Sequence, residues 1–260
     1  MYKLITVTAL LSVFIGNAWA ETDAEKGKAI AIESDRRDTG FVDFTVQMTM
    51  ELINRKGVKS DRVMRQKIIE REGGDKSIVV FDFPRNVKGT ALLTHSHIDD
   101  DDQWLFLPKV GRVKRISSSN KSGSFVGSEF AYEDMSSQEV EKYTDYLLLK
   151  TEPCGDLMCN VIQRRPVDED NSGYSKQILW VDVDEYRVQT IQFFDFKKAH
   201  LKTLTFSGYQ QYAGQFWRAD KLAMVNHVTG KSTNLIMKDY QFKVGLKEVE
   251  FRKKSLARVR

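Results

Sequence analysis

From Phe41 onward the chain changes to a period of two. Val42, Phe44, Val46, Met48, Met50 and Leu52 are apolar, and Asp43, Thr45, Gln47, Thr49 and Glu51 between them are polar. Successive side chains of a strand point to opposite faces, so this stretch predicts a strand with one oily face. Asn54-Arg55-Lys56-Gly57 predicts a hairpin turn, and residues 59–72 return as a long, charged strand. Gly73-Gly74-Asp75-Lys76 turns again into a strand at 77–83. Residues 90–98, 99–103 and 104–108 read as strand, turn, strand. Strand candidates then recur between turns at 146–151, 161–165, 175–183, 187–196, 201–211, 217–226 and 232–244. Such regular spacing predicts a single antiparallel meander or barrel. Helical patterning is confined to a short amphipathic stretch at 24–38, ending before Gly40, and residues 117–137 are Ser- and Gly-rich loop with short helical pieces.

The apolar positions exceed what one face needs. Trp104 and Phe106 oppose Leu105 and Leu107, and Phe194 and Phe196 oppose Ile191 and Phe193. A sheet with two apolar faces must be covered on both sides or must curve round a cavity. An ordinary core sealed by helices accounts for at least half of these residues, and a cavity for an apolar guest would account for the rest.

The first twenty residues change the compartment. Lys3 precedes an apolar run from Leu4 to Ile15, and Ala18-Trp19-Ala20 fits the small-x-small pattern before the polar Glu21-Thr22-Asp23. This predicts a secretory signal peptide over 1–20, cleaved near Ala20, and a periplasmic mature chain with one domain over 21–260. The run is shorter than the roughly 20 apolar residues of a membrane span. An oxidising space in turn makes Cys154 and Cys159, which flank a Gly-Asp turn, a disulfide pinning a hairpin. With 40 Lys+Arg against 36 Asp+Glu and no basic block, nothing points to nucleic acid.

Candidate chemistry is sparse. His95-Ser96-His97-Ile98-Asp99 resembles the first ligand cluster of the metallo-β-lactamases, but Asp100 stands where that motif has His, and only His200 and His227 remain to complete a shell. A hairpin whose acidic run makes the turn is the simpler reading, with weak Ca²⁺ binding by Asp99 to Asp102 as its only metal role. Glu133-Asp134 suits a cap on a short helix better than an acid/base pair, because adjacent side chains diverge. No catalytic residue, metal site or cofactor is expected, so the chain does not read as an enzyme.

Four strings in order carry a resemblance: Asp82-Phe83-Pro84-Arg85-Asn86-Val87-Lys88-Gly89, Asp101-Asp102-Gln103-Trp104-Leu105-Phe106-Leu107-Pro108, Gly111-Arg112-Val113-Lys114-Arg115-Ile116 and Gly127-Ser128-Glu129-Phe130-Ala131-Tyr132-Glu133-Asp134. From about residue 24 to the C-terminus the chain resembles the outer-membrane lipoprotein-sorting protein family, relatives of the LolA and LolB lipoprotein carriers. The resemblance implies a mainly β fold: a single curved antiparallel sheet forming a half-open β-barrel, with short α-helices covering the concave face. It implies a monomeric periplasmic carrier that shuttles acyl chains of lipoproteins, or other lipids, towards the outer membrane. The alternative it leaves is a lipid- or peptide-sensing envelope accessory of an RND-type inner-membrane exporter. Arg62 and Arg65 both stand as candidates for the lid-locking arginine of those carriers. Parity alone assigns the cavity lining to Phe44, Val46, Met48, Met50, Leu52, Phe81, Phe83, Trp104 and Phe106. The loop at 117–137 is the lid candidate, around Phe125 and Phe130.

Overall fold

The computed structural model describes residues 21–259, so the signal peptide expected over 1–20 lies outside the described residues. The chain opens with helix α1 (Asp23–Asp38), started by a capping box in which the Thr22 side chain accepts from the Glu25 N–H at 3.2 Å and the Glu25 carboxylate takes the Thr22 N–H at 2.8 Å. Six strands follow: β1 (Asp43–Ile53), β2 (Lys59–Ile69), β3 (Lys76–Phe83), β4 (Ala91–His95), β5 (Asp102–Leu107) and β6 (Arg112–Ile116). An irregular segment over 117–142 holds four single 3₁₀ turns and leads into β7 (Tyr143–Cys154) and β8 (Leu157–Pro166). The chain continues through β9 (Lys176–Asp182), β10 (Val188–Phe194), β11 (His200–Tyr212), β12 (Phe216–Asn226) and β13 (Lys231–Phe242), and ends in a short helix α2 (Lys253–Leu256).

All the strands join one antiparallel sheet of 13 strands, in the order β6-β5-β4-β3-β2-β1-β13-β12-β11-β10-β9-β8-β7. Every neighbour is a hairpin partner except β1 and β13, whose pairing brings the two halves of the chain together. The outermost strands β6 and β7 do not pair, so the sheet curves without closing. The expected mainly β, half-open architecture is the one observed. Cys154 and Cys159 form the expected disulfide across the β7–β8 hairpin, with Cα atoms 5.8 Å apart.

The two faces are covered differently. The concave face carries the main core, in which Phe44, Met48 and Met50 of β1 join Ile191, Phe193 and Leu204 from the far strands. On the convex face lies a second cluster of Ile69, Ile78, Val80, Ala91 and Leu93, sealed by Phe251 and Leu256. What folds the C-terminal segment onto that face is the buried carboxylate of Asp43. It accepts the backbone N–H groups of Val244 at 2.7 Å and of Gly245 and Leu246 at 3.2 Å, turning the chain out of β13.

This second cluster corrects part of the parity reading. Trp104 and Phe106 pack on the convex side with Phe251, whereas Leu105 and Leu107 face the concave core. Both faces of β5 are apolar because both are covered, and alternation cannot rank two apolar faces. Phe83 also leaves the expected lining: it stands three residues past Val80, the last rung of β3 paired with β4, and is exposed.

Phe251 is almost fully buried, and its truncation leaves a cavity under the convex cover. Phe251→Ala should cost about 3–5 kcal/mol, read by urea unfolding. A loss below about 1 kcal/mol would mean that the C-terminal segment is not packed as described.

Candidate functional site

Two covers cross the concave face. The segment 117–142 lies over the half built from β1 to β5, where Phe125 is fully buried against Phe81, with ring centroids 5.7 Å apart, and against Tyr132 at 5.8 Å. Met50 and Phe81 belong to this filled part of the core, and Leu52 packs at its border. Phe125 is therefore a plug. The segment is tied down by the acidic turn, three of whose four carboxylates meet a cation, two of these cations belonging to the segment itself. Asp100 pairs with Lys121 and accepts from the Ser118 hydroxyl at 2.6 Å, Asp101 pairs with Lys142 at 2.8 Å, and Asp102 accepts from Arg115 Nε at 3.0 Å. Arg62 donates to the carbonyl of Val126, which sits at φ 48°, a left-handed conformation unusual for a β-branched residue. Arg65 pairs instead with Asp82, so of the two arginines it is Arg62 that reaches the covering segment.

The second cover is α1. Gly27 lies directly on the edge strand: a Cβ there would come within 2.7 Å of the backbone of Leu147 and Leu148. At its other end three residues strap the helix across to the far strands. The Ser34 hydroxyl donates to the Tyr186 carbonyl at 2.7 Å, Arg37 donates to the Asp184 carbonyl at 2.8 Å, and Asp38 pairs with Arg218 of β12.

Between α1, the residues 130–141 and the sheet is a hollow of about 730 Å³, within the range of about 300–1,000 Å³ usual for ligand sites. Its wall is apolar, with Phe44, Met48, Ile191, Phe206, Leu222 and Met237 among its residues. Val46 and Phe130 also line it, while Met50, Leu52, Phe81, Phe83, Trp104, Phe106 and Phe125 do not. Alternation along β1 thus gives the wall only as far as Met48, and the walls from β9 to β13 were missed. The alternation of Leu204 with Phe206, and of Leu235 with Met237, was the available signal.

The hollow's border is charged. Asp35 is pushed up to about 6 by burial and the neighbouring carboxylates of Asp38, Glu141, Glu139 and Glu70, and burial pushes Asp75 up to about 7. The Arg218 side chain is 12% exposed and its guanidinium lies 5.4–5.9 Å from the ring centres of Phe41, Phe44, Phe216 and Phe242. Asp38 lies at the rim of the hollow, largely exposed, and its pairing with Arg218 favours the charged carboxylate.

Glu133 and Asp134 anchor the covering segment to the β8–β9 loop. Asp134 accepts from the Ala131 N–H at 2.7 Å and from the Tyr174 hydroxyl at 2.9 Å, which Lys202 reaches at 3.3 Å; the expected helix cap is not formed, since no side chain caps the short turn Glu133–Met135. Glu133 accepts from the Ser172 hydroxyl at 2.8 Å and the Gly173 N–H at 2.9 Å, and burial pushes it up to about 7. His95 and His97 do not converge. His95 Nε2 lies 2.7 Å from the Phe251 carbonyl on the convex face, while the exposed His97 ring stands 3.8 Å from Asp102. Among the described residues no three His, Cys, Asp or Glu side chains are grouped to hold a metal ion.

A solved domain from Vibrio parahaemolyticus, described as an outer membrane lipoprotein-sorting protein, is 51% identical over 90% of this chain and 99% of its own, with a TM-score of 0.87. The chain belongs to the LolA-like outer-membrane lipoprotein-sorting family. A family model described only as "Uncharacterized protein" matches residues 73–258. Within the same similarity, a DUF1329 family protein from Desulfovibrio piger is 28% identical over 90% of this chain and 99% of its own, with a TM-score of 0.86. A LolA superfamily protein from Nitrosomonas europaea shares the fold at 21% identity, over 88% of this chain and 98% of its own, with a TM-score of 0.70. No curated protein matches the chain.

The raised Glu133 gives this family member a testable pH dependence. An unfolded Glu releases its proton near pH 4.5, whereas the folded one keeps it to about 7. Between those values the folded state binds more protons, so stability falls as pH rises. Glu133→Gln should flatten the melting temperature over that window. Parallel profiles for the two proteins would show that Glu133 is ionised in the fold.

Proposed function

We propose that the chain is a carrier of aliphatic cargo, the acyl chains of lipoproteins or of other lipids, which it shuttles through the periplasm towards the outer membrane. The observation that carries this reading is the apolar hollow of about 730 Å³ left between the concave sheet and its two covers. The likeness to the lipoprotein-sorting domain from Vibrio supports both the cargo class and an envelope location, and residues 1–20 supply the export signal. On β1, Phe44, Val46 and Met48 form the cargo wall, where the flexible thioether adapts to an irregular guest. Phe130 borders it from the covering segment.

Energetics favour holding over release. Each buried CH₂ is worth about 0.8 kcal/mol, so a 16-carbon chain would contribute roughly 12 kcal/mol if fully desolvated. A shuttle must hand that cargo on, so part of the binding energy has to be offset. Opening α1 against its three straps provides such an offset, because cargo entry then has to break Asp38–Arg218, Arg37–Asp184 and Ser34–Tyr186. The chemistry is binding alone, with no catalytic step.

Native mass spectrometry of protein purified from its own envelope tests the reading. Bound lipid-sized mass is expected, and Leu222→Trp, which fills the hollow, should weaken uptake of a long-chain aliphatic fluorophore about tenfold or more. Repeatedly empty protein that also takes up no lipid from vesicles would sink the carrier reading.

A further inference from the structure

The two margins of the sheet differ in charge and in what their turns expose. The β8–β9 loop, with the exposed acids Asp168, Glu169 and Asp170, ends one margin, and beside it five further turns stand side by side. They join β1 to β2, β3 to β4, β5 to β6, β12 to β13 and β10 to β11. Contacts between turns fix their adjacency: a Cβ on Gly89 would lie 3.1 Å from Pro108, and one on Gly230 would lie 3.4 Å from Arg55. The His200 and His227 rings, 4.3 Å apart, join the last two turns.

Each of these turns presents one large apolar side chain to solvent. Val58, Phe83, Val110, Phe196 and Val228 are 54–70% exposed. The exposed charges beside them are basic: Arg55 and Lys56, Arg85, Lys109, and Lys197 with Lys198. The single acid within these turns, Asp195, is occupied by the backbone N–H groups of Lys197 at 2.9 Å and Ala199 at 2.8 Å. On the opposite margin the turns carry Glu72, Asp75, Asp99, Asp156 and Asp184, and it is that margin which borders the hollow.

A row of apolar tips flanked by cations is a poor solution for a freely soluble surface, because five adjacent turns leave apolar area in water without a partner. It does match the boundary of an anionic bilayer. Apolar side chains enter the acyl edge, while Lys and Arg remain at the phosphates. A polyanion in solution would use the cations and leave the tips idle, so the tips select the lipid surface. We propose that this basic, apolar-tipped row of five turns docks the protein on an anionic membrane, with the acidic β8–β9 loop at its end clear of the surface and the hollow's border directed away from the bilayer. This goes beyond cargo binding and does not depend on it.

Flotation of the purified chain with unilamellar vesicles tests the docking, using phosphatidylcholine alone or mixed with phosphatidylglycerol. Retention is expected on the anionic vesicles only and should weaken as salt rises. Lys109→Glu and Lys197→Glu should each lower affinity at least about fivefold. Both side chains are exposed, so the variants should keep the parent's melting temperature. An environment-sensitive dye on Phe196→Cys should shift to the blue on binding, and Asp156→Lys on the opposite margin should weaken nothing. Equal retention on both kinds of vesicle would overturn the proposal. So would charge reversals without effect, or a dye that stays in a watery environment while the protein binds.

Discussion

An open sheet with an apolar concave face is the constraint from which the other features follow. Closing the sheet would remove its edges but would also let its own side chains fill the interior. Leaving β6 and β7 apart exposes the concave apolar residues unless other parts of the chain cross the gap. Two covers do so, and they divide the work. The segment 117–142 inserts Phe125 and fills one half, whereas α1 spans the other half without filling it.

The covers differ in how they are held, and that difference bears on function. Polar anchors distributed along its length hold the segment 117–142: Asp100 and Asp101 in the acidic turn, Arg62 on Val126, and the knot of Glu133, Asp134 and Tyr174. Removing one anchor leaves the others in place. Helix α1 instead rests on the edge strand at Gly27 and is strapped only at its C-terminal turn. Acidic residues are disfavoured at a helix C-terminus. Asp35 and Asp38 stand there nonetheless, and Asp38 is compensated only while it faces Arg218. A cover built in this way opens as a unit, which suits a hollow that must admit and release a guest.

Charge is also distributed along the strands' length. Hairpin turns are the least constrained part of an antiparallel sheet, so their composition is free to serve the surface. Here five adjacent turns of one margin gather cations with apolar tips and the turns of the other gather carboxylates, although the net charge of the whole chain is only +4. That polarity exists only because alternate turns of a meander fall on opposite margins. Residues as distant as Lys56 and Lys197 thereby reach the same edge.

Local physics made much of the fold legible. The alternation of Phe44, Val46 and Met48 reflects a strand covered on one face, the Thr22–Glu25 pairing starts a helix by satisfying its free N–H groups, and Cys154 and Cys159 lie close enough across a two-residue turn to be joined. Those features depend on neighbours within a few residues or on a period that repeats along one strand. Three others depended on tertiary structure. Trp104 and Phe106 face the convex cluster because a segment more than a hundred residues later folds over them, and no alternation within β5 carries that information. Whether Met50 and Phe81 border open space or a filled core was decided by where Phe125 lands. The acidic turn became a tether because Lys121 and Lys142 come back to it from a covering segment. Periodicity states which side chains share a face; which covers reach that face, and how much space they leave, is set by long-range packing.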